Sequence, residues 1–87
     1  MKTINSKIKK IISKCDETIN IDSINKDSNL FYDFGFNSIK MIKLICEIEE
    51  AFDIEIDDEY LEIQTLSSFE KLSDIVTQII MENNNVD

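Results

Sequence analysis

Residues 35–52 of the chain read GFNSIKMIKLICEIEEAF and contain its clearest helical signal. At 100° per residue, most of the apolar side chains after Ser38 fall within one sector of about 100°, as in a helix that packs one face against a core. Asn37 is a residue type preferred at the N-cap, so the helix is predicted to begin near Asn37–Ser38 and to end near Phe52. Its core face is predicted to comprise Met41, Leu44, Ile45, Ile48 and Phe52.

The same helix carries a second apolar stripe, Ile39, Ile42 and Cys46, which lies about 130° away from the core face. Ser38 projects between the two stripes. Either the preceding loop covers the second stripe, or part of it is exposed beside Ser38 as a docking surface for other proteins. Because Asn37 takes the cap role, the Ser38 hydroxyl is spare. Without a histidine to activate it as a nucleophile, it is a candidate for modification by another enzyme.

The connection in front of this helix, Asn20–Phe36, is longer than most joints between helices. Ser28 is predicted to cap one short turn over Leu30–Tyr32. Gly35, the only glycine, stands where the chain must turn sharply into the helix, and glycine adopts positive φ without steric cost. The loop is expected to be anchored in the core by its apolar residues Ile21, Ile24, Leu30, Phe31 and Phe34.

A first helix is predicted over about Ile4–Glu17, with Thr3 as its N-cap residue. Its lysines lie outside the apolar sector, which indicates one buried face. The apolar sector contains Ile4, Ile8, Ile11, Ile12, Cys15 and Ile19.

Two further helices are predicted towards the C-terminus. A short acidic helix covers about Asp58–Ile63, capped by Asp57 or Asp58, and a longer one covers about Ser68–Met81. Ser67 and Glu70 have the spacing of a capping box for the longer helix. Its buried face is predicted to comprise Phe69, Leu72, Val76, Ile79 and Ile80.

The predicted fold is therefore all-α, a small four-helix bundle of three longer helices and one short helix, with a long loop between helices 1 and 2. The helical domain is expected to cover residues 1–81, and residues 82–87 (ENNNVD) are expected to form a frayed polar tail. A chain of 87 residues is long enough for one domain with one small core.

Composition excludes several classes of function. The chain has 18 Asp and Glu against 9 Lys, no Arg and no His, so its formal net charge is −9. Such a chain repels phosphate and is not expected to bind nucleic acid. Without imidazole it is not expected to be a self-sufficient enzyme.

No run approaches the roughly 20 apolar residues of a membrane span, and no secretory signal is evident, so a cytoplasmic location is expected. Cys15 and Cys46 are expected to be reduced thiols.

The negative charge is concentrated in one part of the sequence. Residues 47–62 contain nine acidic residues and no lysine, so this block alone accounts for −9. The first 14 residues contain five lysines and no acid. A calcium-binding loop starting at Asp53 would require Gly at position 58 and Glu at position 64, where the chain has Asp58 and Gln64. The block is more consistent with a surface for a basic partner.

The segment Gly35-Phe36-Asn37-Ser38-Ile39 resembles the central motif of the acyl carrier protein family, Gly, an apolar residue, Asp, Ser and Leu. The later run EEAFDIEI, at residues 49–56, is also typical of that family, and the resemblance extends over about Ile4–Ile80. It implies a four-helix bundle in which Ser38, flanked by Gly35 and Asn37, is the attachment point for 4′-phosphopantetheine. The arm comes from coenzyme A, and its thiol holds an acyl or aminoacyl group as a thioester.

The resemblance also implies partners: a phosphopantetheinyl transferase, a loading ligase or acyltransferase, and condensing or downstream tailoring enzymes. The carrier is expected to be a monomer with no catalytic activity of its own. Partner docking is predicted at Ile39, Lys40, Ile42, Lys43, Cys46 and Glu49.

Two departures from the family pattern bear on the pathway. Asn37 replaces the family's Asp, and Lys40 and Lys43 stand where fatty-acid carriers tend to have acidic residues. These two departures favour a stand-alone carrier of a specialised polyketide or nonribosomal-peptide pathway. The alternatives are a housekeeping fatty-acid carrier and a helical interaction module without a prosthetic group. An ion pair between Lys43 and Glu47 would give Lys43 a purely structural role.

Overall fold

The computed structural model describes residues 2–57 and 62–84 of the chain. These residues form five α-helices and one 3₁₀ turn, Ile21–Ser23, and contain no β-strand beyond an isolated bridge between Asn29 and Ser68. The described helices are α1 (Lys2–Cys15), α2 (Leu30–Phe34), α3 (Ser38–Phe52), α4 (Ile63–Leu66) and α5 (Phe69–Asn84).

The predicted all-α architecture is confirmed, with boundary changes in the first helix and in the short helix. Helix α1 covers Lys2–Cys15, whereas about Ile4–Glu17 was predicted. Helix α1 begins at Lys2, so Thr3 lies within the first turn and is not the N-cap residue. The predicted short acidic helix falls largely on residues 58–61, which lie outside the described residues. The helix described in this region is α4, which begins at Ile63.

Helix α5 begins one residue later than predicted and has a different cap. The Ser68 Oγ accepts the backbone N–H of Lys71 at 3.4 Å, whereas the Ser67 hydroxyl donates to the carbonyl of Gln64 at 2.7 Å. The predicted Ser67–Glu70 capping box is therefore wrong. Helix α5 continues past Met81 to Asn84. Residues 85–87 lie outside the described part, and the division between domain and tail stays a prediction.

The core lies between the apolar faces of α1, α3 and α5, supplemented by residues of the connecting segments. The predicted core face of α3 is confirmed, with Phe52 half-buried at its end. Each fully buried aliphatic side chain contributes roughly 1.5–3 kcal/mol relative to an exposed one. The buried apolar residues of the three long helices are Ile8, Ile11, Ile12, Met41, Leu44, Ile45, Ile48, Phe69, Leu72, Val76 and Ile79.

The long connection between α1 and α3 is anchored in the core by four of the five predicted residues, and Ile21 is not among the residues that pack there. Ile24 and Leu30 are buried, and Phe31 and Phe34 pack against the core from its edge. The expected single turn is instead the five-residue helix α2, and its N-cap residue is Asn29. The Asn29 Oδ1 accepts the backbone N–H groups of Phe31 and Tyr32, each at 2.9 Å. The predicted cap, Ser28, accepts the backbone N–H of Asn25.

Two backbone hydrogen bonds join this connection to the start of α5. The N–H of Leu30 donates to the Ser67 carbonyl at 2.7 Å, and the N–H of Phe69 donates to the Ser28 carbonyl at 3.0 Å. Together they form the isolated bridge between Asn29 and Ser68. Ser28 and Ser67 are themselves buried, so these bonds lie away from water and hold the two segments in register.

None of the described helices combines the length and the apolar composition that crossing a membrane requires.

We expect the two faces of α3 to respond differently to the same substitution. Ile48 is fully buried, so Ile48→Ala should lower the free energy of unfolding by about 2–5 kcal/mol. The matched control is Ile39→Ala on the exposed side, which should change it by less than about 0.5 kcal/mol. Urea denaturation followed by circular dichroism measures both. Equal losses for the two variants would contradict this assignment of the faces.

Candidate functional site

The turn that leads into α3 is built around Gly35. Gly35 has φ of +70° and ends α2, with its N–H directed at the carbonyls of Leu30 and Phe31. The next residue, Phe36, donates its N–H to the Leu30 carbonyl at 2.9 Å and buries its ring in the core. The predicted positive φ at the only glycine is confirmed. The turn is held by a buried ring on one side and by α2 on the other.

Asn37 caps α3 as predicted. Its Oδ1 accepts the N–H of Lys40 at 2.9 Å, and its backbone carbonyl accepts the N–H of Met41 at 3.0 Å. Helix geometry leaves the N–H groups of Ser38 and Ile39 without an intrahelical acceptor. Such groups, with the positive end of the helix dipole, form a suitable environment for a phosphate.

Ser38 is the first residue of α3 and is exposed. Within the described part of the chain its hydroxyl makes no hydrogen bond, so no neighbouring group is placed to activate it. Its position therefore fits a phosphate ester at the helix start, made by another enzyme and surrounded by free backbone N–H groups.

The second apolar stripe of α3 lies on the surface. The residue exposures are 78% for Ile39 and 56% for Ile42, and Cys46 is also exposed. The interpretation in which the long loop covers this stripe is therefore wrong. Because positions 42 and 46 lie one and two turns after Ser38, the stripe continues the surface on which the hydroxyl stands.

Lys40 contributes to an ion pair within the fold. Its Nζ lies 2.7 Å from the Asp16 Oδ2, just after α1, and 5.7 Å from the centre of the Phe36 ring. The Asp16 Oδ1 also accepts the hydroxyl and the backbone N–H of Thr18. The Lys40 ammonium, followed by these Thr18 bonds, lowers the pKa of the Asp16 carboxyl from 3.8 to about 2. The pair joins the end of α1 to the first turn of α3.

A second pair between the same helices accounts for Glu47. The Lys14 Nζ lies 3.1 Å from the Glu47 Oε2, and the hydrogen bond to Glu47 raises the pKa of Lys14. Glu47 thus pairs with α1, and the predicted pair between Lys43 and Glu47 is wrong. Lys43 is exposed, and among the described residues it has no ion-pair partner. It is the predicted docking lysine whose charge remains available to a partner.

Glu49 is bonded within the fold. Its Oε2 accepts the backbone N–H of Ile56 at 2.8 Å, and its side chain is half-buried. The carboxylate thereby fixes the segment after α3 and holds the buried side chain of Ile56 against the core. A single carboxylate in an acidic block gives no sequence signal for this role, and the sequence reasoning missed it.

Sequence reasoning also missed Asp16 and Asn29. Both are short polar residues whose side chains accept N–H groups two residues on, the Asx pattern that favours turns. That local signal was available in the sequence. The long-range partners, Lys40 for Asp16 and Ser67 for Asn29, were not.

The two cysteines are free thiols, as predicted. Cys15 is half-buried, and burial raises the pKa of its thiol. Across residues 2–57 and 62–84, no three potential metal-ligating side chains are grouped together.

The chain is similar over most of its length to known proteins. The family model described as "Phosphopantetheine attachment site" matches residues 6–73. A protein named acyl carrier protein from Buchnera aphidicola subsp. Schizaphis graminum is 37% identical over 76 residues, which cover 87% of this chain and 92% of the relative. One of the same name from Buchnera aphidicola subsp. Acyrthosiphon pisum is 39% identical over 77 residues, 87% of this chain and 91% of the relative. Another from Desulforapulum autotrophicum is 37% identical over 57 residues, 66% of this chain and 74% of the relative.

We expect Asp16→Asn to lower the free energy of unfolding near neutral pH and to make that free energy less sensitive to acid. Because the folded-state pKa is below the ordinary 3.8, the stabilisation by Asp16 is complete above about pH 4 and is lost as the pH falls towards 2. Asp16→Asn should therefore be less stable than the wild type at pH 6 and should lose less further stability between pH 4 and pH 2. Urea denaturation at several pH values measures this.

The single variants Asp16→Asn and Lys40→Gln, together with the double variant that combines them, form a double-mutant cycle. If Asp16 acts through Lys40, the double variant should be less destabilised at pH 6 than the sum of the single variants. An Asp16→Asn protein with the full acid dependence of the wild type would show that titration of Asp16 does not contribute to the acid sensitivity of the fold.

Proposed function

The chain belongs to the acyl carrier protein family, whose members carry covalently attached 4′-phosphopantetheine, and on that premise we propose that Ser38 is its attachment residue. The support is the exposed hydroxyl at the first position of α3, which has no hydrogen-bond partner among residues 2–57 and 62–84. It stands within the family-matched segment, directly after the residue that caps the helix. Related acyl carrier proteins are carriers rather than catalysts, and the chain's lack of histidine agrees with that role.

The residues around Ser38 have separate tasks in this proposal. Gly35 and Phe36 fix the approach of the chain, so that the hydroxyl points to solvent, where a phosphopantetheinyl transferase reaches it. Asn37 accepts the N–H of Lys40 and leaves the N–H groups of Ser38 and Ile39 for the phosphate oxygens. The base that takes the hydroxyl proton belongs to the transferase. Bound 4′-phosphopantetheine supplies a terminal thiol that holds acyl or aminoacyl groups as thioesters.

We assign docking to the exposed stripe of α3. Ile39, Ile42 and Cys46 offer an apolar surface beside Ser38, and Lys43 adds a positive charge to it. Lys40 and Glu49 were also predicted to dock partners, but each makes a hydrogen bond within the fold. We therefore give Lys40 and Glu49 a structural role and keep the other four residues as the docking surface.

The proposed pathway is a specialised one, of the polyketide or nonribosomal-peptide kind, and the carrier acts in it as a monomer. A loading ligase or acyltransferase and condensing or tailoring enzymes would be its partners. Lys43 on the docking surface supports this assignment, because it repels the basic surface that an acidic fatty-acid carrier attracts. A housekeeping fatty-acid carrier is the alternative, and the relatives' shared name, acyl carrier protein, is compatible with both.

We expect Ser38→Ala to abolish modification. Incubation with coenzyme A and a broad-specificity phosphopantetheinyl transferase should add one phosphopantetheine to the wild type and none to the variant, as read by intact mass. Ser23→Ala, an exposed serine in the 3₁₀ turn, is the matched control and should be modified like the wild type. Modification of the Ser38→Ala protein would assign the attachment to another residue.

We expect Lys43→Glu to improve use by a fatty-acid condensing enzyme. Removing the repulsion should raise kcat/KM of the acylated carrier, most strongly at low ionic strength. Lys26→Glu in the long connection changes the net charge equally and should leave kcat/KM near the wild-type value. Lys40→Asp should mainly reduce stability, because it breaks the pair with Asp16. Equal rates for wild type and Lys43→Glu would remove this support for a specialised pathway.

The apolar part of the docking surface has its own test. Ile42→Asp should leave the domain folded but slow transfer to partners, whereas Ile45→Asp should unfold it because Ile45 belongs to the core. If both variants unfold the domain equally, Ile42 is a core residue and the docking assignment is wrong.

A further inference from the structure

A cleft of about 270 Å³ lies between α2 and α4. Its lining comprises Asn29 and Phe31–Tyr32 on one side and Gln64 and Ser67 on the other. The two sides are held together by the hydrogen bond from the Leu30 N–H to the Ser67 carbonyl and by a contact of 3.4 Å from the Asn29 amide to the Ser67 hydroxyl. The cleft is therefore present in the folded chain and does not require a ligand to form it.

The cleft adjoins the turn that carries Ser38. Phe36 is bonded through its N–H to the Leu30 carbonyl, and Ser38 follows two residues later. Standard backbone dimensions then place the Cα of Ser38 roughly 15 Å or less from the Cα of Leu30, the neighbour of Phe31. A 4′-phosphopantetheine arm has about the length of five extended residues, roughly 17 Å. An arm on Ser38 is long enough to reach the cleft.

The chemistry of the lining matches the pantetheine portion of the arm. That portion is uncharged and contains two amides, a hydroxyl and a branched dimethyl group. Asn29 and Gln64 carry amide side chains that donate and accept hydrogen bonds. Phe31 and the 89%-exposed Tyr32 provide aromatic surface, and none of the described residues that line the cleft is charged.

Two other clefts in the described part of the chain fit less well. One lies at the end of α3 and is lined by four acidic residues, Asp53, Glu55, Asp57 and Glu82. The other lies between α1 and α5, includes Asp74, Glu82 and Met81, and has no residue within 20 positions of the turn at Ser38. Of these three clefts, the one between α2 and α4 combines amide groups, aromatic surface and backbone contact with the turn at Ser38.

We propose that the cleft between α2 and α4 is a resting site for the pantetheine portion of the arm. The site deepens the proposed attachment at Ser38 and rests on it. Tethering supplies an effective concentration in the millimolar range, so a weak site is occupied without binding free pantetheine tightly. Partner enzymes that draw the arm into their own active sites then displace it from Tyr32 and Gln64.

The test compares apo and holo protein by NMR, with the holo form made by a broad-specificity transferase and verified by intact mass. In the holo protein we expect shifts of the backbone amides of Phe31, Tyr32, Gln64 and Ser67. We also expect nuclear Overhauser contacts between the pantetheine methyl groups and the Tyr32 ring. Tyr32→Ala and Gln64→Ala should lose these remote shifts and remain fully modified at Ser38. Met81→Ala, in the cleft between α1 and α5, is the control and should retain them.

The possible failures are distinguishable. An unchanged mass after transferase treatment overturns the attachment at Ser38 and the resting site with it. A correct holo mass with shifts confined to residues next to Ser38 leaves the attachment intact and overturns the resting site. The resting site is also wrong if the remote shifts persist in both Tyr32→Ala and Gln64→Ala.

Discussion

The two backbone hydrogen bonds between residues 28–30 and 67–69 hold the segment in front of Ser38 in place. Without them the connection from α1 to α3 would depend on side-chain anchors alone, and ordering a segment of that length costs considerable conformational entropy. The bonds fix Leu30, Leu30 in turn accepts the N–H of Phe36, and Phe36 leads directly into the cap of α3. The position of the Ser38 hydroxyl therefore depends on a contact with α5, more than thirty residues away in sequence.

The charges of the chain divide into those that stabilise the fold and those that face outward. Lys40 near the start of α3 pairs with Asp16 just after α1, and Lys14 at the end of α1 pairs with Glu47 in the middle of α3, so both lysines join α3 to the end of α1. Lys7 donates to the Ala51 carbonyl at the end of α3. What remains exposed near the Ser38 end of α3 is the apolar stripe of Ile39, Ile42 and Cys46, together with Lys43. The net charge of −9 consequently says little about the surface beside Ser38.

Local sequence signals were sufficient for the parts of the molecule whose structure depends on near neighbours. The apolar period of α3, the cap at Asn37 and the positive φ at Gly35 were all predicted, because a helix, its cap and a turn are set within a few residues. The caps of α2 and α5 were misassigned by one position in each case. Ser28, Asn29, Ser67 and Ser68 are all acceptable cap residues, and the choice between neighbours follows from the bridge that joins them.

The sequence by itself determined an all-α fold, the helix that starts at Ser38 and the family to which the chain is similar. Tertiary structure decided which side chains are available at the site. Lys40 and Glu49 looked like surface residues along the sequence, yet an ion pair and a backbone hydrogen bond commit them to the fold. Leu30 and Phe36 of the connection bury their side chains in the core. The connection does not cover Ile39 and Ile42, which stay exposed. Such choices depend on groups far apart in the chain, and helical periodicity holds no information about them.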